Sequence, residues 1–316
     1  MAGQNTLIIA NDYNLIQSKI ALVLGSGSGN KGYGQTLTSS QVGQYSTITV
    51  AQWSALRDDI ARTRQHQTGV TLGTKAPEDV GYVAGSDLPI PTNAKQVRDT
   101  WRSAYLQMAT DADTNYLTAP PPAGEASRVD LVTQQIRNTQ WNGTIVQSIV
   151  ITWPTADAAR YFFNTGSQIE FSADRSGGSP GLKNSTWTAM LAGMGTVAMN
   201  HTQTTCTGTG TASSLGFYDL TTTNGVIFEK DAPAGAYAPN KYYIYARVND
   251  TGANRRILYF DINFGDDSTA PSSFPDPGFG IDENVDGTLT STVQVYRASG
   301  TNVTVPTPSA VTTGIN

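Results

Sequence analysis

The chain has 316 residues, of which only 14% are Asp, Glu, Lys or Arg, with a net charge of −5 and a pI near 5.0. That length allows two or three domains with a substantial core, and the low charge means that Thr, Ser, Asn, Gln and Gly must build the polar surface, which suits β-rich domains with extensive protein contacts. No basic excess exists to hold a phosphate backbone, which weighs against a nucleic-acid partner. The single cysteine, Cys206, excludes an internal disulfide, and two histidines, His66 and His201, leave little for a histidine metal site.

In chain order, Asn11 or Asp12 is expected to cap a helix over 13–24, with Ile16, Ile20, Val23 and Leu24 on one face and Gly25 at its end. Residues 25–46 read as a Gly/Ser/Thr loop with a short ordered piece at 37–42. Thr49 and Gln52 form a T-x-x-Q capping box, flanked by Ile48 and Trp53 at the staple positions. The helix that follows carries a buried stripe of Trp53, Leu56 and Ile60 and stops at Gly69. Thr92 or Asn93 caps a third helix, to about Ala109. Residues 119–126, APPPAGEA, form a stiff linker.

Beyond Arg128 the pattern turns to strands. Residues 144–153 and 168–173 read as strands around a short helix, 156–164, capped by Thr155, and Asn184 or Ser185 caps another short helix. Residues 195–202 resume extended structure. A hairpin is expected over 217–231, turning at Asn224-Gly225. Two strong strands cover 241–248 and 256–264, and the last covers 289–298. The fold class expected is α+β: a small helical domain (1–118), a Pro-rich linker (119–127), a mainly antiparallel β-sheet or sandwich domain with short helices (128–300) and an extended tail (301–316).

Few residues suggest chemistry. Gly27, Gly29 and Gly32 satisfy G-x-G-x-x-G, but Lys31 stands between Asn30 and Gly32 without the hydroxyl residue of a P-loop, and no helix opens after the glycines. The loop therefore reads as a connector, and no cofactor is expected. Asp282, Asn284 and Asp286 in DENVDG match the start of a calcium loop, although its twelfth position is Val293 rather than Glu. They are a candidate structural cation site, with an acidic turn as the alternative. Asp261, Asp266, Asp267 and Asp276 lie near Tyr242, Tyr243, Tyr245, Tyr259 and Phe260, a set that could hold sugar. His66 and His201 sit at element ends, and no G-x-S-x-G supports a serine triad. No run reaches the roughly 18 apolar residues of a membrane span, so no membrane insertion is expected. The start, MAGQNTLIIAND, lacks the features of a signal peptide, which implies synthesis in a cytoplasm without export.

The segments YNLIQSKIALVLGSGSGNKGYGQTLTSSQV (13–42), ITVAQWSALRDDIARTRQHQTG (48–69), ARYFFNTGSQIEFSADRSGGS (159–179) and KNSTWTAMLAGMGT (183–196) resemble virion structural, tail-associated proteins of contractile-tailed, myovirus-type bacteriophages, notably those of cyanobacteria. The resemblance implies a non-enzymatic part of a tail, baseplate or neck, located in the virion and assembled in symmetric copies with other virion proteins. The alternatives are a receptor-binding or fibre protein holding host surface glycan, and a head decoration protein. On this reading Gly25, Gly27, Gly29, Gly32, Tyr33 and Gly34, with Trp53, are the interface candidates, because a loop with few side chains lets a second chain pass close.

Overall fold

The computed structural model describes residues 10–71, 94–122, 129–268 and 284–316. Among these are five helices and eleven strands, the strands in two antiparallel sheets, so the fold is α+β with mainly β content. The chain divides into two units. Unit 1 is Met1–Ser127 with Arg160–Gly166 and Ala298–Val305; unit 2 is Arg128–Ala159, Ser167–Arg297 and Pro306–Asn316.

Unit 1 contains helices α1 (Ala10–Leu24), α2 (Val50–Thr68) and α3 (Ala94–Thr114). Their core packs Tyr13, Ile16, Ile20, Val23 and Leu24 against Leu56, Ile60, Tyr105 and Met108. Helix α2 follows its sequence closely. Thr49 Oγ1 accepts from the Gln52 amide while the Gln52 side chain accepts from the Thr49 amide, and Gly69 closes the helix at φ +73°, caps worth about 1 kcal/mol each. The start of α1 differs from expectation: Ala10, Asn11 and Asp12 are already helical, so neither Asn11 nor Asp12 is its cap. There Asp12 pairs with Arg102 of α3 at 3.4 Å. Helix α3 runs on to Thr114 because Ala109 and Ala112 extend its buried stripe.

Unit 2 is built on strands β1 (Val129–Arg137), β2 (Gly143–Thr152), β3 (Gln168–Ser176), β4 (Val197–Met199), β5 (Thr204–Cys206), β6 (Thr211–Ala212), β7 (Gly225–Asp231), β8 (Lys241–Val248), β9 (Ile257–Asp266), β10 (Thr288–Tyr296) and β11 (Ser309–Thr312). One sheet has the order β1-β10-β3-β4-β5 and the other β11-β2-β9-β8-β7-β6. Phe171 of β3 meets Phe260 of β9 edge-on at 5.0 Å, so the buried faces of the two sheets pack on each other. Alternation explains the placement. In β8, Tyr242, Ile244, Ala246 and Val248 point inward, and Tyr243, Tyr245 and Arg247 point outward. Helix α4 (Ala156–Asn164) starts with the Thr155 hydroxyl accepting from the Ala158 amide. Helix α5 (Leu182–Met194) buries Trp187, Met190, Leu191 and Met194.

Two sequence expectations are corrected here. Helix α5 starts after Gly181, not at Asn184 or Ser185, because the Asn184 side chain is engaged by Ser179 and Asp286. The 217–231 hairpin does not form, and Gly225 is instead the first residue of β7, which lies between β6 and β8. Residues 217 and 218 spend their amides on the carbonyls of Asn200 and His201, while Arg255 takes the carbonyls of Phe217 and Leu220. The C-terminal stretch is integrated into its own chain: Val303 and Val305 are buried in unit 1, whereas β11 pairs with β2 and Asn316 exchanges backbone hydrogen bonds with Val146.

Candidate functional site

The glycine loop is tied to its own unit. The amides of Tyr33 and Gly34 donate to Gly25 O at 3.2 and 2.8 Å, Gln35 N donates to Leu24 O, and Lys31 N donates to Ser28 O. A phosphate cradle turns its amides toward the ligand; these four are spent on carbonyls of the loop and of the α1 terminus. Four other carbonyls of the loop meet side chains of the 160–166 stretch. Arg160 donates to Gly29 O at 2.6 Å and to Ser26 O at 2.8 Å, and Tyr161 Oη donates to Ser26 O at 3.1 Å. Asn164 Nδ2 donates to Asn30 O and Gly32 O. Lys31 pairs with Asp113, which also receives Lys19 at 3.6 Å.

The interface candidates therefore divide. Gly25, Gly32 and Tyr33 are interior residues, which removes them from any surface offered to a neighbour. The Tyr33 hydroxyl meets Thr118 Oγ1 at 2.8 Å and accepts from Gln67, and burial pushes its phenol up to about 12. Trp53 is half-buried, stacked on Tyr105 at 5.6 Å and edge-on to Tyr13 at 5.4 Å. Gly27 is half-buried; only Gly29 and Gly34 are exposed. A Cβ on Gly34 would lie 2.2 Å from the Tyr161 ring, so the chain that passes close to this loop is its own.

A second anchor had no sequence signal. Asp59, fully buried in α2, accepts from the amides of Thr38 and Ser39 at 2.8–3.1 Å and from both hydroxyls at 2.9 and 2.7 Å. With Asn14, whose side chain both donates to and accepts from the Val42 backbone, it holds the 38–42 stretch on the helices.

In unit 2, Asp282 lies outside the described residues and Asn284 is exposed. Asp286 is occupied by its own chain: it accepts from the Ser179 hydroxyl at 2.6 Å, the Ser179 amide at 3.1 Å, Asn184 Nδ2 at 2.5 Å and Arg175 Nη2 at 3.3 Å. Arg175, itself buried, also reaches Asp286 O, Asn184 O, Thr188 Oγ1 and Gly177 O. Among the described residues, no group of three or more His, Cys, Asp or Glu could hold a metal ion. The Ser179 hydroxyl and then its amide hold the Asp286 carboxyl below the usual range. A carboxyl depressed on folding stabilises above its unfolded value, and that contribution disappears as pH falls through the lower, folded one. Acid unfolding of unit 2 below about pH 4 should thus be shallower in Asp286→Asn, as urea titrations from pH 2 to 6 would read. An acid limb identical to that of the parent would exclude this carboxyl as its source.

The aromatic and acidic set is dispersed. Tyr242 is buried, while Tyr243, Tyr245 and Tyr259 are half-buried on the outer face of the six-stranded sheet. Tyr243 and Tyr245 meet edge-on at 5.4 Å, and the Arg247 guanidinium covers Tyr259 at 3.8 Å. Asp261 accepts from Ser148 Oγ at 2.6 Å on that outer face, whereas Asp266 is buried against Lys183. Their five-residue separation along β9 puts the two carboxylates on opposite faces, so they cannot flank one glycosidic bond. Asp267 is exposed, and Asp276 lies outside the described residues. His66 contacts Thr165 O at 2.9 Å, and His201 contacts Thr202 Oγ1 at 3.1 Å.

One feature of unit 2 remains open. Strand β1 pairs with β10 through Gln134↔Thr292 and Ile136↔Thr290, and among the described residues no strand pairs with its other edge. Val132 and Ile136 are 52% and 56% exposed, with exposed Gln134 between them. The other terminal strands, β5, β6 and β11, have only three, two and four residues against the nine of β1. No helix among the described residues is long and apolar enough to cross a membrane. No family model, curated protein or solved structure matches the chain.

Proposed function

We propose that this protein is a non-enzymatic structural component of a bacteriophage virion, of the tail, baseplate or neck, that assembles in symmetric copies through strand β1. The observation that carries the assembly is the edge of that strand that no strand among the described residues pairs with. Long edges with exposed apolar residues invite pairing, and proteins normally shield them with charge, proline or shortness. Strand β1 carries charge only near its ends, at Asp130 and Arg137, and residues 131–136, LVTQQI, between them contain neither charge nor proline. The exposed pattern is also self-complementary. An antiparallel pair of β1 strands centred on Gln134 sets Val132 opposite Ile136 of the second copy, twice, with glutamine facing glutamine and no like charges opposed. The segments resembling virion proteins support the virion setting; the half-exposed tyrosines of the other sheet support the glycan-binding alternative more weakly, since Arg247 already covers Tyr259.

Val132→Lys should weaken self-association by about thirtyfold, from about 1 kcal/mol lost at each of two symmetric positions. Sedimentation across a concentration series reads this directly. A wild-type chain that stays monomeric at high micromolar concentration, or an oligomer indifferent to Val132→Lys, contradicts the proposal. Imaging of the particle would locate the station.

A further inference from the structure

Unit 2 completely buries the ion pair of Lys183 and Asp266. Lys183 lies in the first turn of α5 and Asp266 is the last residue of β9, and their Nζ and Oδ2 atoms are 2.6 Å apart with side-chain exposures of 1% and 0%. The surroundings are aromatic. The Tyr237 ring lies 5.9 Å from Lys183 Nζ, and Trp187, one turn further along α5, packs on Phe264 of β9. Ser268 donates its hydroxyl to Asp266 Oδ1 at 3.1 Å, and its amide donates to Asn240 Oδ1 at 2.9 Å.

Taking an ammonium and a carboxylate out of water commonly costs more than their attraction returns, and apolar residues of the same volume serve stability as well. The same burial favours a chemical outcome. Proton transfer within the pair gives an amine and a carboxylic acid without changing the charge of the interior, and their packed elements hold the two in contact, as an intramolecular reaction requires. Where water is excluded, an amide once formed is also shielded from hydrolysis.

We propose that Lys183 and Asp266 condense into an isopeptide bond that covalently joins α5 to β9. The Nζ lone pair attacks Cγ of Asp266, and the carbonyl electrons move onto Oδ1, where the Ser268 hydroxyl stabilises them. Oδ2 leaves as water, carrying the protons given up by the nitrogen. One C–N bond forms and one C–O bond breaks, nothing is oxidised or reduced, and no co-reactant is needed. The product closes a covalent loop over residues 183–266, about half of unit 2, so that separating α5 from the β9 end requires breaking a covalent bond. Resistance of this kind is kinetic and suits a part of a particle exposed to the environment.

Intact mass spectrometry of the denatured, reduced full-length chain tests this. The expected mass is that of the sequence less one water, and a digest should contain a branched peptide joining the segment with Lys183 to the segment with Asp266. Lys183→Arg, which keeps the charge but lacks the nucleophile, should restore the full mass; Asp266→Asn should lose ammonia instead of water if it condenses. Should either variant fail to fold, the wild-type mass and digest still decide. A wild-type chain at its full sequence mass, or a missing water located elsewhere, overturns the proposal.

Discussion

Asp59→Ala is expected to destabilise unit 1 by about 3–5 kcal/mol, the range for removing one partner from a buried charged network. The loss has a specific origin. The carboxylate satisfies the backbone amides of Thr38 and Ser39 and both hydroxyls, and Arg62 lies 3.7 Å away. Alanine leaves the two amides and the Ser39 hydroxyl without their acceptor, while the Thr38 hydroxyl keeps the Ala55 carbonyl at 3.1 Å. Asp59→Asn separates charge from shape: it fills the same space but presents an NH2 group to donors, so it should lose nearly as much. The two units need not unfold together, so one melting midpoint is not a two-state quantity. Hydrogen exchange of α1 and α2 peptides through a urea series reports on unit 1 directly. An Asp59→Asn protein with unchanged protection would show that packing, not the carboxylate, holds the 38–42 stretch.

Substitution in the glycine loop should separate strain from collision. Gly27 has φ +66°, and a Cβ there would lie 2.0 Å from the Lys31 carbonyl oxygen, a backbone atom that cannot swing away. Gly27→Ala is therefore expected to cost above about 3 kcal/mol, the range of local rearrangement. Gly29 has nearly the same backbone, φ +59°, but nothing within 4 Å of its Cβ position. Gly29→Ala should cost only the left-handed penalty of about 1–2 kcal/mol. Similar losses at the two sites, read from the same exchange experiment, would contradict the packing account. The contrast also bears on assembly. If the exposed loop tip bound a second copy, Gly29→Ala would weaken association more than stability.

Much of the fold was legible because its signals are local. The Thr49–Gln52 box and Gly69 bracket α2 within one stretch of sequence, and the alternating tyrosines of β8 announce a half-buried strand. The expectations that missed depended on distant partners. Asn184 resembles a helix cap, yet its side chain is claimed by Asp286, 102 residues away in the chain. Asn224-Gly225 is a strong turn signal in isolation, but the residues before it find their hydrogen bonds with Asn200, His201 and Arg255. Strand β1 was hidden because its half-buried residues, Thr133, Gln135 and Arg137, are polar while Val132 and Ile136 are exposed, the reverse of the usual apolar-in alternation. The Asp59 and Lys183 sites were hidden for a different reason. Charged residues are normally read as surface, and only the assembled structure shows which are interior and what they meet.

The central claim, self-assembly through β1, has a direct geometric test. In a strand pair related by a two-fold axis at Gln134, that residue faces itself, with Cα atoms about 4.5–5.5 Å apart, inside the span that a disulfide bridges. With Cys206 replaced by Ser to remove the native thiol, Gln134→Cys should form a covalent dimer under mild oxidation, with the cross-link mapped to residue 134 of both copies. A chain that associates but does not cross-link at this position, or one that never associates, would contradict the account.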